Sequence, residues 1–423
     1  MTPTMIITLA IVVLMVVMIM SDKFAFGAPP LIACVLLVLT GCATISEAFS
    51  GFVDKNVVMI AGFMTAMAAL SKTTLMAKIK RVMLNMAQKG GMKSYLLMLL
   101  IVCLGCSVMS GTGYYVLVLS IVSTIPYNKK LPTSKILMPL GFATGNALLP
   151  INMAFYVGMV ASLLESTAFA NAEVPMINLS IIAFVRTLVF LVWALVGYRL
   201  LPDHPINDAD TSELEKEDVA QLPKWKEYCV YLAFAVTVVG CMFLSQLGDI
   251  GYVIPGACVA FLFLIGVLDF KEIRNNIASP LVIMMAGVIG VAAALSNSGF
   301  TTMVGEAVAN ALGSNVAPFL LVLAFALLTS VCATFTGAAI GSIFIFAPIG
   351  IAACISMGLN PTALVVATVS SGWINYFMPI DGLPAMIMGM GKYKLTDFWK
   401  FAVPMYILHI LITCAGAVLL FPM

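Results

Sequence analysis

Asp381 is the residue whose setting most demands a chemical role. It stands between Pro379 and Pro384 in the run Phe377 to Pro384, FMPIDGLP, inside an otherwise apolar stretch. An acid at membrane depth is costly unless it is paired or functional. It can ligate a cation, carry a coupling proton, or contact a cationic substrate group. The structural alternative is a partner for Arg186 or for backbone N–H groups.

Three other small-polar breaks interrupt apolar stretches: Ser110-Gly111-Thr112-Gly113, Thr336-Gly337-Ala338, and Thr144-Gly145-Asn146 through Pro150-Ile151-Asn152. Asp381 closes the fourth, which begins at Ser370-Ser371-Gly372. Gly permits tight turns and Pro leaves carbonyls unpaired, so each reads as a broken helix. In a bilayer such breaks are tolerated where protein or water satisfies the freed backbone, which marks them as binding sites. Helix N-termini suit an anion, and unwound carbonyls suit a small cation. The bland reading is that Gly and Ser merely allow close helix packing.

The elements carrying these breaks are membrane helices. Of 423 residues, 62% are hydrophobic and only 9% charged, against roughly 25% charged in a soluble domain. Ten segments reach spanning length: 5 to 20, 28 to 44, 56 to 71, 136 to 165, 177 to 198, 228 to 247, 253 to 268, 280 to 297, 362 to 391 and 401 to 421. Stretches 94 to 125 and 319 to 356 are too long for one crossing. Basic residues flank the first on both sides: Lys72, Lys78, Lys80, Arg81, Lys89 and Lys93 before, Lys129, Lys130 and Lys135 after. Because basic loops stay cytoplasmic, 94 to 125 is expected to enter and leave on one side as a re-entrant hairpin. The flanks of the second, 298 to 318 and 357 to 361, hold no Lys or Arg, so it is expected to enter from outside. This topology puts 19 of the 21 basic residues in the cytoplasm, with Lys55 outside and Arg186 within a span. Both termini are then extracytoplasmic. Net charge of +2 shows no nucleic-acid footprint.

An internal repeat organises the chain. Pro30 to Ser71 aligns without gaps on Pro255 to Ser296, a shift of 225, with 13 identities in 42 positions. Ala68-Ala69-Leu70-Ser71 against Ala293-Ala294-Leu295-Ser296 is its strongest block. Ser110-Gly111 matches Thr336-Gly337, and Asn146, Pro150, Ile151 and Asn152 match Asn375, Pro379, Ile380 and Asp381. Five spans separate the copies, an odd number, so they are expected to be inverted, as in many secondary transporters. The expected fold is an all-α polytopic membrane protein, an inverted-repeat secondary transporter with about ten transmembrane helices and two re-entrant hairpins. Its parts are an N-terminal helix over 1–27, a first repeat over 28–201, a cytoplasmic linker over 202–227 with a surface helix from Thr211 to Leu222, a connecting helix over 228–252, and a second repeat over 253–423.

Pro30 to Leu75, with its ISEAFSGF stretch, and Phe377 to Pro404, FMPIDGLPAMIMGMGKYKLTDFWKFAVP, resemble the divalent anion:sodium symporters of the ion transporter superfamily. The resemblance covers nearly the whole chain. It implies a homodimer of inverted-repeat subunits, each with a scaffold and an elevator-like transport domain, moving dicarboxylate, citrate or sulfate with sodium. The family's hairpin tips carry a Ser-Asn-Thr motif. Ser110-Gly111-Thr112 keeps both hydroxyls and loses the amide, and Thr336-Gly337-Ala338 departs further.

The expected function is cation-coupled symport of a small anion by a multi-pass protein of the inner membrane, surrounded by lipid, with sodium or protons as driver. The alternative is a cation/proton antiporter of the same superfamily titrating Asp381. Substrate oxygens are expected at Ser110, Gly111, Thr112, Thr336, Gly337, Ala338 and Pro379. Asn146, Asn152, Asn375 and Asp381 are expected at cation or coupling sites, with sodium near Ser110, Asn146 and Asn375. No cofactor and no nucleic-acid partner is expected. Arg186 sits in a span bearing no other motif, where it can neutralise substrate. His409 reads as a packing residue, and Cys103 and Cys106, a CxxC in an apolar run, likewise. An intramembrane aspartyl protease needs a second deep Asp that no span supplies, so the chain is not read as an enzyme.

Overall fold

The computed structural model describes residues 2–20, 24, 27–70, 72–74, 78, 81–83, 85–86, 90–108, 112–123, 125, 131–151, 153–165, 167–170, 172–206, 222–300, 303, 317–336, 339–379 and 382–423. Among them the regular structure is entirely helical. The helices are α1 (Pro3–Met20), α2 (Ala28–Leu39), α3 (Ile45–Ala48), α4 (Lys55–Leu70), α5 (Gly91–Val108), α6 (Thr112–Ser123), α7 (Thr133–Ala143), α8 (Ala154–Glu165), α9 (Met176–Gly197) and α10 (Lys224–Met242). They continue with α11 (Leu244–Leu247), α12 (Asp249–Leu264), α13 (Phe270–Ile277), α14 (Pro280–Asn297), α15 (Pro318–Thr336), α16 (Ala339–Ser356), α17 (Thr362–Ser371), α18 (Gly382–Gly391) and α19 (Leu395–Leu420).

Five helical stretches among the described residues are long and apolar enough to cross a bilayer: 176–200, 270–295, 318–335, 339–356 and 395–420. The two arms of the second expected hairpin are both among them. Re-entry there therefore rests on flanking charge and not on length. The two overlong spans, 136 to 165 and 362 to 391, are each split into two helices, α7 with α8 and α17 with α18. The expected surface helix from Thr211 to Leu222 falls almost wholly outside the described residues.

The turns that follow α2 and α12 match bond by bond at the shift of 225. After α2, the N–H groups of Thr40, Gly41, Cys42 and Ala43 bond the carbonyls of Leu36, Val38, Leu37 and Leu37. After α12, those of Ile265, Gly266, Val267 and Leu268 bond Phe261, Phe263, Leu262 and Leu262. Gly41 and Gly266 hold the left-handed conformation that ends each helix, at φ 70° and 68°. Next, Thr44 and Glu47 form a capping box on α3, and Asp269 and Glu272 form one on α13.

The copies also pack reciprocally. α2 lies on α14, and α4 lies on α12. A Cβ on Gly62 would meet the Pro255 Cβ at 3.0 Å and the Gly256 nitrogen at 2.7 Å. A Cβ on Gly287 would meet the Pro30 Cβ at 2.6 Å and the Leu31 nitrogen at 3.4 Å. Such exchange of equivalent contacts is what a two-fold relation produces.

Because the two capping boxes are equivalents, Thr44→Ala and Asp269→Ala are expected to lower stability alike, each by about 1 kcal/mol, read as thermal unfolding of the purified protein. Bonds from the Thr44 backbone N–H and then its hydroxyl hold the Glu47 carboxyl below its usual range. That box is therefore complete above the ordinary carboxylate range and is lost as pH falls through the lowered value.

Buried apolar side chains form two clusters. One joins α2, α4, α8, α10, α12 and α14 with α15 to α17. The other joins α5, α6, α7 and α18 with the C-terminal half of α9 and the first half of α19. Tyr376 packs against both, which places the second helix break at their seam.

Candidate functional site

The first break runs from Thr144 to Met153, between α7 and α8. Gly145 and Pro150 stop the helix, and the N–H groups of Thr144, Gly145 and Asn146 close tight turns on Gly141, Phe142 and Ala143, each at 3.1 Å. Neighbouring helices satisfy much of the freed backbone. The Leu148 N–H reaches the Cys103 carbonyl at 3.0 Å, and the Leu149 N–H reaches Ser107 Oγ at 2.8 Å. Cys106 Sγ donates to the Thr144 carbonyl at 2.8 Å. From α9, Thr187 Oγ1 donates to Ala147 at 2.9 Å and Ser180 Oγ to Pro150 at 2.8 Å. The CxxC thus packs and bonds the break, in keeping with a structural thiol pair.

Asn146 is buried. Its Nδ2 donates to the Phe142 carbonyl at 2.9 Å. A carbonyl can only accept, so the amide nitrogen must face it and the oxygen must point away. That Oδ1 is buried and has no hydrogen-bond partner.

The second break follows α17. The N–H groups of Gly372 and Ile374 turn back to Thr368 and Ser371 at 3.2 and 2.9 Å. Ser330 Oγ, from α15, donates to the Ile374 carbonyl at 2.5 Å and lies 3.1 Å from the Tyr406 hydroxyl. The Tyr376 hydroxyl hydrogen-bonds His409 Nδ1 on α19.

The two breaks face each other. The rings of Phe142 and Tyr376 lie 5.3 Å apart, and those of Phe155 and Trp373 lie 6.0 Å apart. α7 packs on α18 while α17 packs on α8, again an exchange of equivalents. Arg186, midway along α9, acts electrostatically on Cys106, Tyr156, Tyr376 and His409. Those residues belong to α5, α8, the second break and α19, so the guanidinium sits where the pieces meet.

Of the expected site residues, Asn146, Asn375 and Pro379 are described and lie in the two breaks. Thr112 opens α6 and Thr336 closes α15. Ser110, Gly111, Asn152, Gly337, Ala338 and Asp381 lie outside the described residues. Tyr156 and Tyr376 carried no signal in the sequence, since an aromatic in an apolar run is ordinarily core. His409, expected as a packing residue, is buried but also anchors Tyr376.

A family model described as citrate transporter matches residues 15–340. The uncharacterized transporter YfbS of Escherichia coli strain K12 is 27% identical over 135 residues, 32% of this chain and 22% of that protein. The uncharacterized transporter sll0640 of Synechocystis is 26% identical over 197 residues, 46% of this chain and 31% of that protein. The matches therefore span less than a third of those relatives' own lengths. Among solved structures, the YdaH transporter of Alcanivorax borkumensis superposes with a TM-score of 0.62 at 16% identity, covering 91% of this chain and 87% of that one. MtrF of Neisseria gonorrhoeae, described with a class of antimetabolite efflux pumps, does so at 0.58 and 16% identity, covering 90% and 83%. At such identity the likeness is one of fold.

Proposed function

Because this chain belongs to the citrate transporter family, in the superfamily of the symporters it resembles, we propose that this membrane transporter moves a small polycarboxylate, citrate foremost, together with sodium or a proton. The observation that carries the reading is the meeting of two broken helices at the seam of two packing clusters, with the Asn146 Oδ1 left as a free buried acceptor. Unwound backbone at membrane depth is where secondary transporters hold substrate and coupling ion. An oxygen ligand without a proton suits a hard cation, and facing helix ends suit an anion.

Within this reading Ser110, Thr112 and Thr336, with backbone N–H groups at Gly111, Gly337 and Ala338, hold substrate oxygens beside Pro379. Asn146, Asn152, Asn375 and Asp381 serve the cation. An inner-membrane homodimer with both termini outside belongs to the same proposal and rests on charge sorting and resemblance.

The test is a thermal-shift screen of the purified protein against citrate, dicarboxylates and sulfate, with and without sodium. Ligand at a hundredfold its Kd adds about 2.7 kcal/mol to folding stability. Citrate is expected to raise Tm, and more so with sodium or at lower pH. A rise with sodium alone and none with any anion would favour the cation/proton antiporter instead.

A further inference from the structure

We infer that Arg186 and His409 together form a carboxylate-binding subsite, in which the Nε–H of Arg186 and the Nε2–H of His409 both donate to one carboxylate of the transported anion. The inference rests on the anion-transport reading and adds to it the residues that recognise charge.

Arg186 faces the interior. Along α9 the residues Ile177, Ile181, Phe184, Val185, Leu188, Val192 and Val196 are exposed, whereas Leu179, Ile182, Ala183, Phe190 and Ala194 are buried. At 100° per residue the exposed set forms one stripe, the face turned to lipid, and Arg186 falls nearly opposite it. The half-buried guanidinium therefore opens toward the inside of the protein. Its Nε is buried and has no hydrogen-bond partner. The ion pairs between described residues, Lys72 with Glu272 and Lys400 with Asp397, do not involve it. Among the described residues no carboxylate pairs with it; an uncompensated guanidinium at membrane depth is costly, and an anionic ligand removes that cost.

His409 supplies the second donor. Its ring is 1% exposed, and Nδ1 is taken by Tyr376. Taking the Tyr376 hydroxyl, the stronger acid of the pair, as the donor makes His409 the Nε2–H tautomer. That Nε2 is buried and unpartnered too. α9 and α19 pack side by side, and Arg186 acts electrostatically on both His409 and Tyr376. Two orphan donors on packed helices, beside a break that both packing clusters share, can both be satisfied by an acceptor with more than one lone pair. A carboxylate is such an acceptor.

Citrate binding to full-length purified protein, measured by calorimetry, tests this. Arg186→Gln is expected to raise the citrate Kd about ten- to a hundredfold, the range for a lost charged hydrogen bond, and Arg186→Lys is expected to fall between. His409→Phe is expected to raise it about tenfold. In the wild type, citrate is expected to shield Arg186 from butanedione while Arg81, Arg199 and Arg274 react unchanged, a readout that needs no variant to fold. Wild-type citrate binding that survives Arg186→Gln undiminished, or butanedione labelling of Arg186 indifferent to saturating citrate, overturns the subsite and leaves the transport reading standing. A wild type that binds no carboxylate overturns both.

Discussion

Gly290→Val is expected to leave no folded transporter, seen as loss of the monodisperse peak on size-exclusion chromatography. A Cβ at Gly290 would lie 1.8 Å from the Ala48 carbonyl oxygen and 2.5 Å from its carbon. The obstacle is backbone, so no rotamer change can relieve it. One turn earlier on α14, a Cβ on Gly51 would in turn strike the Ala286 carbonyl oxygen at 2.1 Å. The segment from Ala48 to Gly51 thus lies directly on the α14 backbone, held by the α3 capping box at one end and by α4 at the other. Overpacking of ordinary side chains costs roughly 1–3 kcal/mol, and a main-chain collision exceeds that range. Gly256→Ala is the contrast, since a Cβ there meets nothing within 4 Å. In mid-helix it is expected to gain up to about 1 kcal/mol through helix propensity. Equal tolerance of both substitutions would show that α3 does not seat on α14 as described.

Asn146→Leu is expected to weaken gradient-driven accumulation of citrate in proteoliposomes strongly while sparing the fold. Leucine keeps the volume of the side chain and removes both polar atoms. The Phe142 carbonyl then loses one donor, a modest cost of about 1–3 kcal/mol that thermal unfolding will show. The cation loses an oxygen ligand from the first break. Loss of a single partner at an ion site commonly weakens affinity 10- to 100-fold, so the half-saturating cation concentration should rise by about tenfold or more. Asn146→Asp keeps an oxygen there and is expected to retain coupling. Unaltered cation dependence in Asn146→Leu would remove this side chain from the coupling site.

Punctuation made the architecture legible. Gly145 with Pro150, and Gly372 with Pro379, announce the breaks because each pair falls in a short polar run, whereas the isolated Pro139, Pro255, Pro348 and Pro404 stay inside their helices. The repeat was legible as aligned letters, yet what it preserves is geometric: Thr44 and Asp269 differ in identity and do the same capping job. Helix ends were less legible. α12 begins at Asp249 and α19 at Leu395, ahead of the apolar runs at 253 and 401, because hydropathy marks where the bilayer is and the helices continue into polar surroundings. The polar α13, FKEIRNNI, left no hydropathy signal for the same reason.

The site was legible in position and only partly in membership. Asn146 is legible because an amide in a break at membrane depth supplies an oxygen ligand. Arg186 stood out as a charge but ranked low, since its span carries no motif and its neighbours come from four other segments. His409 reads as core until Tyr376, 33 residues away, is found on its Nδ1. Partnerships of that kind come from the fold.

The most direct measurement is uptake of radiolabelled citrate into proteoliposomes under an inward sodium gradient, an inward proton gradient, or neither. The account predicts accumulation above the external concentration with at least one gradient and only equilibration without. Equilibration alone under every condition would contradict cation-coupled symport.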